Sequence, residues 1–248
     1  MSSPWLPWPV LVGCLNGCAF CPAVAAAREN RRRCHLCGAF VPHLHPEILD
    51  SLEYQPDPQR VLVAPGADLW TDDTGRRPLD DLPDWRNEIY EALERQPRHR
   101  FGLITRRPER VAEDMWMSCL RPAHVWLGVG VEHEADLRQR FAELVAAAGP
   151  QHLLVSAEPL LGPLLGESDE LPAGIGWLLL GPQTGPRAKT QGPVPEAWFR
   201  EAVAAAQAQG VPVFVKDSIR RIYPGTQDWP QEIPAELQFG KGRKKAPE

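Results

Sequence analysis

Val125-Trp-Leu-Gly-Val-Gly-Val131-Glu132 is the stretch that decides the fold. Seven successive apolar residues are too few for a typical helix and show no polar alternation. The run therefore reads as a strand covered on both faces, as in a parallel sheet packed under helices. Similar short runs lie on either side of it: Val61–Ala64, Phe101–Thr105, His152–Ser156, Trp177–Leu180 and Val213–Val215, with Trp8–Val12 read as the first strand. Helical patterns fit between them at Asp84–Gln96, Pro108–Met117, Glu134–Ala148 and Pro195–Gln209, the last followed by Gly210, a residue suited to a C-cap. Seven strands in βα alternation predict an α/β fold with a parallel sheet, either doubly wound or closed into a full or partial (βα) barrel of the TIM-like kind. No glycine-rich phosphate loop follows any strand, which argues against dinucleotide-binding and nucleoside-triphosphatase folds.

Length sets the frame for that prediction. A chain of 248 residues accommodates one large single-core domain. The expected division is a barrel over residues 1–223 with a Cys/His-rich insertion at 30–46, and a Pro- and charge-rich tail over 224–248, partly disordered and without a catalytic part. A net charge of −5 argues against bulk polyanion binding. Local basic patches remain at Arg31-Arg32-Arg33 and Arg106-Arg107-Pro108-Glu109-Arg110, for which a solvated helix face or contacts to a small anion are the plainer explanation. No apolar run approaches a membrane span, and the start of the chain lacks a signal-peptide core, so a cytoplasmic protein without membrane contact is expected.

Five of the six cysteines crowd between positions 14 and 37, which in a reducing compartment points to metal or redox chemistry. The sixth, Cys119, reads as a packed thiol. Cys14-Leu-Asn-Gly-Cys18-Ala-Phe-Cys21 has the x3, x2 spacing that can hold three irons of a [4Fe-4S] cluster and leave the fourth open. Radical S-adenosylmethionine (SAM) enzymes use such a cluster, and Phe20 before the third cysteine fits their signature. A rival pairing joins Cys18-x2-Cys21 with Cys34-x2-Cys37 as a four-thiolate zinc knuckle, a non-catalytic module for nucleic-acid or protein contact. It leaves Cys14 and Phe20 without a task. The cluster reading instead frees Cys34 and Cys37 to join His43 and His45 in a separate structural metal site, zinc being the expected ion.

In a βα barrel the chemistry gathers at the carboxyl ends of the strands. Those positions carry Gly66 and Asp68, Thr105 and Arg106, Glu132, Glu158, Gln183, and Lys216. Six polar strand ends at one rim are better explained by a shared cleft than by independent helix caps. Glu158, Lys216 and Arg106 are the candidate catalytic groups. Asp68, Gly66, Glu132, Thr105 and Gln183 are the candidate cofactor-binding groups.

With these residues in hand, the chain resembles a family of phage-associated, radical-SAM-related proteins of largely unknown function. The matching stretches are the cysteine loop, Cys34-His-Leu-Cys-Gly-Ala-Phe-Val-Pro-His-Leu-His-Pro46, Gly66-Ala-Asp-Leu-Trp70, Leu103-Ile-Thr-Arg-Arg-Pro108, Val125–Glu132, Ser156-Ala-Glu-Pro-Leu-Leu-Gly162 and Val213-Phe-Val-Lys216. The resemblance implies a TIM-like radical-SAM barrel with Cys14, Cys18 and Cys21 on a [4Fe-4S] cluster and SAM as cofactor. It implies further that Asp68 lies by the methionyl amino group and Glu132 near the ribose or carboxylate. A reductant such as flavodoxin or ferredoxin is the expected partner, and a nucleotide or nucleic acid the leading substrate class. The chain departs from the family pattern at Gly181-Pro-Gln-Thr-Gly185, where relatives carry a carboxylate, and at Asp217-Ser218 after the seventh-strand lysine. Both departures fall on the substrate side, and neutral Gln183 there suits reading a hydrogen-bonding pattern.

Overall fold

The computed structural model describes residues 3–29, 32, 34–71, 85–166, 168–184, 188, 192–225 and 228–239. Arg31, Arg33, Asp84 and Gly185, noted above, and residues 240–248 of the expected tail lie outside the described residues. In chain order the strands are β1 (Leu6–Trp8), β2 (Leu11–Gly13), β3 (His43–Leu44), β4 (Arg60–Val63), β5 (Gly66–Ala67), β6 (Arg100–Thr105), β7 (Val125–Gly130), β8 (Leu153–Ala157), β9 (Trp177–Leu180) and β10 (Val213–Val215). The larger sheet runs β1-β4-β6-β7-β8-β9-β10, each neighbour parallel. Every strand lies beside its predecessor in this sheet, so the order never reverses. The sheet curls into a half-barrel rather than winding doubly, which decides between the two predicted architectures.

Strand alternation separates two cores. Val61, Phe101, Leu103, Val125, Leu127, Val129, Val155, Leu178 and Val215 point outward into the larger core with the helices, among them α3 (Trp85–Arg95), α5 (Glu134–Ala148) and α6 (Glu196–Ala208). Trp126, Leu154, Leu179 and Phe214 point inward, where Trp5, Trp177 and Leu237 join them. Large aromatics therefore fill the amino-terminal half of the concave face. In the carboxyl-terminal half, glycines leave room for long polar side chains instead. A Cβ at Gly130 would stand 3.3 Å from the Arg106 side chain, and one at Gly181 would stand 3.2 Å from Lys216 and 3.3 Å from Glu158.

Three sequence expectations are corrected. The run Trp8–Val12 is not one strand. Pro9 has no N–H to continue the ladder, so Leu6–Trp8 joins the half-barrel, while β2 moves to a small second sheet between β3 and β5. The helix expected over Pro108–Met117 stops as α4 (Pro108–Val111) and is followed by a π-turn at Trp116–Leu120. Asp114 intervenes there, its carboxylate accepting from Trp70 Nε1, Tyr90 Oη and the Met117 N–H. Cys119 in that turn is exposed, not packed.

The segment 228–239, read as tail, is built into the fold. The Val215 N–H donates to Pro230 O, the Glu232 N–H to Val213 O, and Trp177 Nε1 to Glu232 O. Trp229 and Leu237 are buried. Burial of Trp229 and Leu237 offsets the cost of this ordering, but read over 224–248 the apolar residues are diluted by eight charged ones, which is why composition hid the segment.

Candidate functional site

The loop from Cys14 to Cys21 leaves β2 and enters α1 (Ala23–Glu29). It is tied down from three directions. Thr71 Oγ1 accepts from the Leu15 N–H at 2.7 Å and lies 3.6 Å from Cys14 Sγ. The Cys21 N–H closes a turn on Cys18 O at 3.1 Å. Asn16 Nδ2 donates to Asp68 Oδ2 at 2.8 Å.

Asp68 is the hub of this arrangement. Only 3% exposed, it accepts from Asn16 Nδ2 and the Arg106 N–H on Oδ2, and from Thr105 Oγ1 and the Trp70 N–H on Oδ1, at 2.8–3.1 Å. Four donors on two oxygens satisfy the carboxylate from within the protein. Asp68 therefore joins the cysteine loop to the end of β6, and Thr105 serves it from below.

Cys14, Cys18 and Cys21 line one cavity of about 310 Å³ together with Asn16, Phe20, Gly66, Asp68, Arg106, Ser156, Glu158 and Lys216. Burial pushes the Cys14 thiol pKa up, against hydrogen bonds from the Asn16 N–H and Thr71. Arg106 lies over the Phe20 ring, 4.8 Å from its centroid, which gives that aromatic its task. Across the cavity Lys216 Nζ pairs with Glu158 Oε1 at 2.9 Å, and Ser156 Oγ donates to Glu158 Oε2 at 3.2 Å.

Two expected rim residues turn elsewhere. Glu132 does not line the cavity: buried, it pairs with Arg106 on one oxygen and with Arg140 Nη1 at 3.1 Å on the other. Its carboxylate supports Arg106 from behind, where the resemblance implied a cofactor contact. Gln183 lines a neighbouring cleft with Leu160, Val194 and Tyr223. Sequence reasoning missed Asn16, Ser156 and Arg140. The signal for Arg140 was its place one turn after Asp136, which it also pairs at 2.8 Å.

A second cluster lies beside the first. Cys34, Cys37, His43 and His45 bring one donor atom each within 4.8 Å of all the others, a set that could hold a metal such as zinc. Cys34 and Cys37 converge with the histidines and not with Cys18 and Cys21, so the four-thiolate pairing is not formed. The N–H of Cys37, then the Cys37 thiol and the Leu36 N–H, draw the Cys34 thiol below its ordinary pKa, while burial pushes Cys37 up to about 11.

The fold and site thus define an α/β half-barrel with a cysteine-lined cavity at the carboxyl ends of its parallel strands. The chain belongs to the family described as "Protein of unknown function (DUF5131)", whose family model matches residues 4–221. No curated protein and no solved structure matches the chain. Among the described residues no helix is long and apolar enough to cross a membrane.

Proposed function

We propose that this protein is a radical-SAM enzyme whose TIM-like half-barrel holds a [4Fe-4S] cluster on Cys14, Cys18 and Cys21, with SAM beside it. The observation that carries this reading is that all three cysteines line one cavity with the polar strand ends of the parallel sheet. The donor set fits the group. Three thiolates supply three irons and leave one iron for SAM, and among the described residues no fourth cysteine lines that cavity. Thiolates that bind separate irons stand farther apart than ligands of one ion, in keeping with the three not converging as the second cluster does. When bound, the cluster supplies the electron that breaks the carbon–sulfur bond of SAM.

The chain's own contribution is positioning and charge. Asp68 fixes the cysteine loop, and Gly66 gives the cofactor close access to backbone. Arg106, backed by Glu132, and Lys216, held by Glu158, present two cations to the cavity. That pair suits an anionic substrate, and a nucleotide or nucleic acid is the class we favour. The test is chemical. Anaerobically reconstituted protein, reduced by dithionite or by a flavodoxin or ferredoxin, should convert SAM to methionine and 5′-deoxyadenosine, and Cys18→Ala should abolish the conversion. Reconstituted protein that leaves SAM intact counts against the proposal.

A further inference from the structure

Cys34, Cys37, His43 and His45 belong to no part of the cavity just described, yet their geometry is that of one closed metal site. Cys34 Sγ lies 3.3 Å from His43 Nε2, and Cys37 Sγ lies 3.4 Å from His43 Nε2 and 3.2 Å from His45 Nε2. Zinc bonds of about 2.3 Å to sulfur and about 2.0 Å to nitrogen at tetrahedral angles put such S···N pairs about 3.5 Å apart. The observed spacing is therefore close to what a single central ion requires. Both imidazoles are also oriented from behind. His43 Nδ1 meets Val41 O at 2.7 Å and His45 Nδ1 meets Glu47 Oε1 at 2.8 Å, which turns each Nε2 towards the cluster as a ligand. Two thiolates balance the charge of a divalent ion, and four protein ligands leave no open position for catalysis.

The place of this cluster in the fold gives it a task. Helix α2 (His35–Ala39) carries Cys37 and packs against α1, the helix that the cysteine loop enters. Strand β3 carries His43 and pairs with β2, His43 opposite Val12, while the His45 N–H donates to Val10 O at 2.8 Å. Gly13, one residue before Cys14, has φ 94° and is pressed on the intervening chain: a Cβ there would fall 2.4 Å from the Val41 carbonyl group. The segment bridged by the four ligands thus touches both the entrance and the exit of the Cys14–Cys21 loop.

We infer that Cys34, Cys37, His43 and His45 form a structural zinc site that clamps both ends of the three-cysteine loop. The zinc site stands independently of what that loop binds. A variant with Cys14, Cys18 and Cys21 all changed to Ala is therefore the right background for testing it. Purified without chelator, that variant should contain one zinc per chain, and adding Cys37→Ser or His43→Ala should remove it. Cobalt(II) exchanged into the same protein should show tetrahedral d–d bands with sulfur charge transfer. Stripping the zinc should speed amide exchange at Leu11–Gly13 and Leu44 by tenfold or more and leave β6–β8 protected, a local change that separates the clamp from general unfolding. Zinc-free protein that takes up no added zinc, or zinc that survives Cys37→Ser, overturns the site. Unchanged exchange at β2 and β3 overturns the clamp. Loss of iron binding by the unaltered loop bears on the radical-SAM proposal alone.

Discussion

Replacing Asp68 by Asn exchanges one heavy atom, removes the charge and reverses one role: an acceptor oxygen becomes a donor NH2 group. Asp68 receives two donors on each oxygen, all buried or half-buried. The amide can keep one pair of these bonds, and the other pair then faces an NH2 group. Hydrogen bonds to a charged group contribute about 1.5–3 kcal/mol each, so the loss comes to about 3–6 kcal/mol. That is a large part of the ~5–15 kcal/mol that holds a domain together. Urea denaturation followed by tryptophan fluorescence measures it, with Asp68→Asn unfolding at clearly lower urea and with an unchanged slope. If Asp68 instead served chiefly as a ligand contact, the variant would keep its stability and lose only cofactor binding. A loss below about 1 kcal/mol would refute the assignment of this carboxylate as the internal hub.

Three further expectations follow from the same geometry. Glu132→Gln leaves Arg106 and Arg140 without their buried carboxylate, and a cost of about 3 kcal/mol is expected, whereas a wild-type urea midpoint would show the pair to be idle. Ending the chain after Gly225 removes Trp229, Leu237 and the bonds that cover β10 and Trp177, so the product should melt far lower or fail to fold, and a wild-type melting curve would contradict the packing described. Burial holds His99, His124 and His152 below the ordinary histidine pKa, so the unfolded chain binds more protons as pH falls through about 6.5; stability should be full above that pH and decline below it, less so in His99→Gln, and a urea midpoint equal at pH 7.5 and 5.5 would contradict this.

The strands were legible because a covered parallel sheet writes each one as a short apolar run, and Trp177–Leu180 and Val213–Val215 fall at the residues read from sequence. Glu134–Ala148 was equally plain, with Gly149 ending it. What failed depended on partners distant in sequence. Asp114 ends a helix by serving Trp70 and Tyr90, and no local propensity encodes that. Residues 228–239 order by adding backbone bonds to β10, a gain invisible in a polar, proline-rich composition. In the site, spacing grouped Cys14, Cys18 and Cys21, and Cys34, Cys37, His43 and His45, as the structure does. Position at a strand end found Asp68 and Glu132 but could not say what each faces, because a carboxylate's role depends on the donors folded around it.

The central claim is a cluster on Cys14, Cys18 and Cys21, and metal analysis of anaerobically purified protein tests it most directly. The account predicts about four irons and four sulfides per chain with broad absorbance near 400 nm, lost as fully in Cys14→Ala as in Cys18→Ala, with zinc unchanged in both. Colourless protein after anaerobic reconstitution, or Cys14→Ala protein that keeps its full iron and sulfide, would contradict it.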